Sequence, residues 1–148
     1  MASTFQRPGF RPDDRQQRAS APAIAVDDIV FGDKPAAQLF ADIAESKASA
    51  VAGGSRDANK SSQLRRFYDE LVMWQEKVGK TEERFEELKP YIYMLKAKVA
   101  YSKGRGHVDG NFEVMFRRII DQSTSAATLA QGKLFMEAFM AFYKVHNK

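Results

Sequence analysis

The sequence predicts an all-α fold, a compact bundle of five to six helices behind a flexible N-terminal tail. Three observations carry this reading. Apolar residues from Pro35 onward recur at three-and-four spacing instead of alternating. Gly and Pro punctuate that pattern at intervals of one helix length. Hydrophobic residues make up 44% of the 148 positions and include 11 Phe, enough to fill one core.

Residues 1–22 hold three of the five Pro, Arg7, Arg11, Arg15 and Arg18, and only Phe5 and Phe10 as large apolar side chains. That is too little apolar surface to offset the entropy of ordering the chain, so the segment reads as a basic, disordered tail. Residues 23–148 read as one helical-bundle domain. It opens with a short apolar run, Ile24 to Phe31, whose secondary structure is ambiguous. Asp33 is placed to cap a helix with Pro35 in its first turn and Leu39, Phe40, Ile43, Ala44 and Val51 on its apolar stripe. Gly53-Gly54 ends it, and a polar linker follows to Asn59.

Ser61 or Ser62 starts the next helix, with Leu64, Phe67, Tyr68, Leu71, Val72, Gln75 and Val78 in register and Gly79 as its stop. Thr81 caps a further helix whose first turns carry Glu82, Glu83, Glu86 and Glu87, as the helix dipole favours. Pro90 should bend that helix, yet Phe85, Leu88, Ile92, Leu95 and Val99 keep step across it, which predicts a kink and not a break. Gly104, Gly106 and Gly110 mark a loop. Asn111 opens a helix bearing Phe112, Met115, Phe116, Ile119 and Ile120, and a last helix runs from about Ala126 with Leu129, Phe135, Met136, Phe139, Phe142 and Tyr143 on its apolar face.

Composition narrows function. The chain has no Cys and two His, so neither a thiolate nor an imidazole-built metal site is expected, and no cofactor motif occurs. His107 lies in a Gly-rich loop and His146 beside the C-terminus; neither accompanies a nucleophile motif. The four glutamates crowd one solvated helix start, which is usual for a charged face and unusual for a metal cage. No catalysis, no membrane span, and a soluble cytoplasmic protein are the expectations.

The basic residues are patterned. From Leu88 to Val108 there is no carboxylate, while Lys89, Lys96, Lys98, Lys103 and Arg105 occur with Tyr91, Tyr93 and Tyr101 between them. On a helix, Leu88, Ile92, Leu95 and Val99 form one stripe, and Tyr91, Met94, Lys98, Tyr101 and Arg105 a second. Together they suit a helix in mid-bundle, with the tyrosines at the core or its edge. Lys89, Lys96 and Lys103, spaced by seven and so roughly 10 Å apart, are left to face water. Such a row can follow a phosphate backbone, or simply be a solvated lysine face. Arg65-Arg66 and Arg117-Arg118 add basic pairs whose place relative to that row is not readable.

Several segments, in order, resemble one family. Ser61-Ser62-Gln63-Leu64-Arg65-Arg66-Phe67-Tyr68, then Leu95-Lys96-Ala97-Lys98-Val99-Ala100-Tyr101-Ser102-Lys103-Gly104-Arg105, and the aromatic ending Leu134 to Lys144 are similar to the small Csm-type subunit of type III-A CRISPR effector complexes. The earlier Ile29-Val30-Phe31-Gly32-Asp33-Lys34 also fits, so the likeness spans about residue 28 to the end. The resemblance implies a helical bundle that is not a nuclease. It also implies stacking in several copies beside the other effector subunits, along CRISPR RNA and target RNA. Arg65, Lys98, Lys103 and Arg105 fall at motif positions, and this adds them to the RNA-contact candidates. The full candidate set is Arg65, Arg66, Lys89, Lys96, Lys98, Lys103, Arg105, Arg117 and Arg118. The corresponding small subunit of type III-B complexes, and a helical protein–protein adaptor that does not bind RNA, are the competing readings.

Overall fold

The computed structural model describes residues 24–55 and 57–147; the tail expected over residues 1–22 lies outside them. Among the described residues the regular structure is entirely helical. The chain enters through a π-helical turn, Leu39–Ile43, which runs directly into α1 (Ala44–Ala52). Then follow α2 (Ser61–Val78), α3 (Glu82–Tyr93), α4 (Leu95–Gly104), α5 (Gly110–Gln122) and α6 (Ala126–His146).

The first helix starts later than Asp33 and Pro35 suggest. Ile43 donates its N–H five residues back to Gln38, while Phe40 sits outside helical geometry at φ −96°, ψ 15°. That widened turn is a π-bulge. Elsewhere several local signals hold, although Thr81 stands at the start of α3 with no capping bond from its side chain. Gly79 ends α2 at φ 62°, where a side chain would be strained. The α6 start is a capping box: Ser125 accepts from the Thr128 N–H and the Thr128 hydroxyl accepts from the Ser125 N–H. α5 opens one residue before Asn111, because Asp109 accepts from the Phe112 N–H at 3.0 Å and becomes its cap. Pro90 lies inside α3, and the ladder falters only at Met94, the join to α4. Phe85, Ile92, Leu95 and Val99 are all fully buried, so one apolar line does run through the bend.

α6 is the central helix and packs on α1, α2 and α5, while α4 lies on α5. Phe67 of α2 meets Phe112 and Phe116 of α5 at ring separations of 5.7 and 5.1 Å, and Phe112 reaches Phe139 of α6 at 6.1 Å. Gly132 lets α6 approach α5: a Cβ there would stand 3.0 Å from the Ser123 hydroxyl and 3.2 Å from Ile119.

Candidate nucleic-acid interface

The bend places α4 against α5 on one flank and beside α2 on the other. Between α2 and α4 opens a groove of about 590 Å³. Gln63, Arg66, Phe67 and Glu70 form its α2 wall; Met94, Ala97, Lys98, Tyr101 and Ser102 form its α4 wall, and Arg105 and His107 its end. Three of the sequence-selected cations, Arg66, Lys98 and Arg105, therefore meet in one place, from two helices.

The stripe that opens to water differs from the one the heptad spacing suggested. Tyr91, Met94 and Tyr101 are 59%, 57% and 67% exposed, and Lys98 and Arg105 are exposed with them. Of the tyrosines expected at the core or its edge, Tyr93 is half-buried against the core, while Tyr91 and Tyr101 lie on the surface, Tyr91 stacked at 6.2 Å on Trp74 of α2. The lysine row is correspondingly compromised. Lys89 pairs with Glu86 at 3.1 Å, and Lys96 pairs with Asp121 of α5 while lying over the Tyr93 ring. Only Lys103 of that row is exposed without a carboxylate partner among the described residues. Lys89 meets a carboxylate of its own helix one turn back, whereas the Lys96 contact is tertiary, because α5 supplies Asp121 on that flank of α4.

Inside the groove the charges are unequally committed. Lys98 pairs with Glu70 at 3.3 Å. Arg105 donates to the Tyr101 hydroxyl at 3.1 Å and lies 5.8 Å over its ring, which orients the guanidinium without neutralising it. Arg66 is exposed and has no ion pair among the described residues. The others lie apart. Arg65, one residue and so a quarter-turn round α2, covers Tyr68 at 5.9 Å in a separate cleft with Lys144 of α6. Arg117 pairs with Glu113 at 3.5 Å along α5. Arg118 donates to the backbone oxygens of Ile29 (2.9 Å) and Asp27 (3.3 Å), which ties it to the N-terminal segment.

The end of the groove is held by a buried polar hub. Asn59, at φ 64° and 2% exposed, donates its N–H to the His107 carbonyl at 2.9 Å and accepts the Asp109 N–H on its side chain at 2.9 Å. Its own carbonyl accepts from the Tyr143 hydroxyl of α6. Burial, then the nearby Asp109 charge, pushes the Tyr143 phenol above its ordinary range. Asn59 and Asp109 carry no readable sequence signal of this role; only the Met94/Lys98/Tyr101/Arg105 spacing hinted at the α4 wall.

Among the described residues no group of three or more His, Asp or Glu side chains converges to hold a metal, and no helix is long and apolar enough to cross a membrane. Glu82 instead accepts from the Ala126 N–H at the start of α6. The family model described as Csm2 Type III-A matches residues 34–148, well over half of the chain. The chain belongs to the Csm2 type III-A family. This Csm2 is therefore a small subunit of a type III-A CRISPR effector complex and associates with the complex's other subunits. No curated protein and no solved structure matches it.

Proposed function

We propose that this Csm2 is a non-catalytic, cytoplasmic RNA-binding subunit that stacks in several copies and holds the ribose-phosphate backbone of guide and target RNA. One observation supports this above the rest: Arg66, Lys98 and Arg105 line one open groove from two helices, and among the described residues neither arginine is in an ion pair. Guanidinium groups suit phosphate oxygens geometrically, and such contacts carry no sequence information, as binding to any spacer requires. Lys98 exchanges Glu70 for a phosphate at little expense, because an exposed ion pair is worth only about 0–1 kcal/mol. A single groove binds weakly, and repetition of it along a stack raises the total affinity through effective concentration.

The exposed Tyr91, Met94 and Tyr101 favour a second reading, in which the same face docks a protein and the cations are its solvated rim. An Arg66→Glu/Lys103→Glu/Arg105→Glu variant separates the two. Assembled into the effector complex, it should retain the other subunits and lose target RNA. Loss of the subunits with RNA retention intact would favour protein docking.

A further inference from the structure

Residues 24–32 cross α5 and α6 as a strap that belongs to no helix or strand and bends once, where the Ile29 N–H donates to the Val26 carbonyl at 3.0 Å, and side chains read its backbone. The Ile24 N–H donates to Asn111 Oδ1 (3.2 Å) and the Phe31 N–H to Gln122 Oε1 (3.1 Å). The Gln131 amide takes both groups of Gly32, accepting its N–H at 3.0 Å and donating to its carbonyl at 2.7 Å. Arg118 donates to the Ile29 and Asp27 carbonyls, and the buried Lys47 of α1 pairs with Asp28 at 2.7 Å. Alternate side chains point inward: Ile29 is fully buried, Val30 is 52% exposed, and Phe31 is buried against Phe135 beside Gly132. Backbone read by amides and a guanidinium, with Ile29 and Phe31 buried on either side of an exposed Val30, is how a groove recognises a peptide segment.

The connection to the bundle is correspondingly loose. Residues 33–38 are all exposed, so straightening them loses little packing, and they lead into the irregular π-turn. Six residues extended reach about 20 Å. A strap delivered by another copy would keep every contact above, which makes exchange inexpensive wherever copies are held side by side. We propose that the α5–α6 groove is a peptide-binding site that takes residues 24–32 of a second copy, so that exchanged straps link adjacent subunits. This rests on the stacking of copies proposed above but not on their RNA contacts.

The chain has no Cys, so introduced thiols report cleanly. Full-length Asp28→Cys, carrying a size tag, is mixed with untagged Lys47→Cys over rising concentrations and treated with a short bis-maleimide. A chain bearing both substitutions provides the within-chain reference. A tagged–untagged pair that increases with concentration and disappears when Phe31→Asp is added to the tagged chain is the expected result. Within-chain product alone at every concentration, or a pair indifferent to Phe31→Asp, overturns the proposal. Deleting residues 35–37 from the native chain gives an independent reading if Lys47→Cys does not fold. The shortened connection should convert monomer to dimer by light scattering, and a folded monomer would contradict exchange. RNA enters neither arm, so failure here is distinct from failure of the RNA-binding reading.

Discussion

Arg105 and His107 hold their places because three side chains fix the loop behind them. Asp109 accepts from the Phe112 N–H at 3.0 Å and the Ser55 N–H at 3.3 Å, and so caps α5 and holds the linker before α2. Asp109→Ala should cost about 1 kcal/mol, read as a lower urea midpoint at unchanged slope. Gly54→Ala should do comparable damage, since its new Cβ would stand 2.2 Å from the Asp109 carboxylate. The Tyr143 phenol has a folded pKa raised above its unfolded value of 10.0, so the folded state holds the proton more tightly. Its contribution is complete below about pH 10 and is lost as pH climbs through the raised value. Tyr143→Phe should therefore lower stability near pH 7 by about 1 kcal/mol and make the alkaline decline shallower, measured by denaturant titration at pH 7 to 11. None of this hub was legible in the sequence. Asn59 looked like linker and Asp109 like loop, because their partners are 84 and 54 residues away in the chain.

At the scale of the elements, the order of helices, the Gly79 stop and the Pro90 bend were legible because each rests on local backbone chemistry. Which flank of α4 faces water was not. Helical periodicity separates the Lys89/Lys96/Lys103 row from the Met94/Lys98/Tyr101/Arg105 stripe, but only the positions of α2 and α5 decide what each flank meets. Asp121 of α5 meets Lys96, and Glu70 of α2 meets Lys98. The strap was equally unreadable, since its backbone partners are the single side chains of Asn111, Arg118, Gln122 and Gln131, about 90 residues away on two helices. The α5–α6 contact gives a direct test of the packing. Gly132→Val would press methyls on Ser123, Ile119 and Phe31 and should cost about 1–3 kcal/mol, checked by the shift in thermal midpoint.

For the molecule as a whole, the excess of 23 Lys and Arg over 19 Asp and Glu is mild, and among the described candidate cations Lys89, Lys96, Lys98 and Arg117 are already paired. In the α2–α4 groove Arg66 and Arg105 have no carboxylate partner among the described residues, nor has the exposed Lys103, while Lys98 is held by Glu70. The family resemblance placed Lys98, Lys103 and Arg105 among the candidates, and the fold brings Arg66 to them from another helix. The most direct measurement is equilibrium binding of mixed-sequence single-stranded RNA to the purified chain across a salt series. Three phosphate contacts predict a slope of log affinity against log salt of about −2, falling to about −0.7 in a folded Arg66→Glu/Arg105→Glu variant, with little dependence on RNA sequence. An affinity and slope unchanged in that variant would contradict the account.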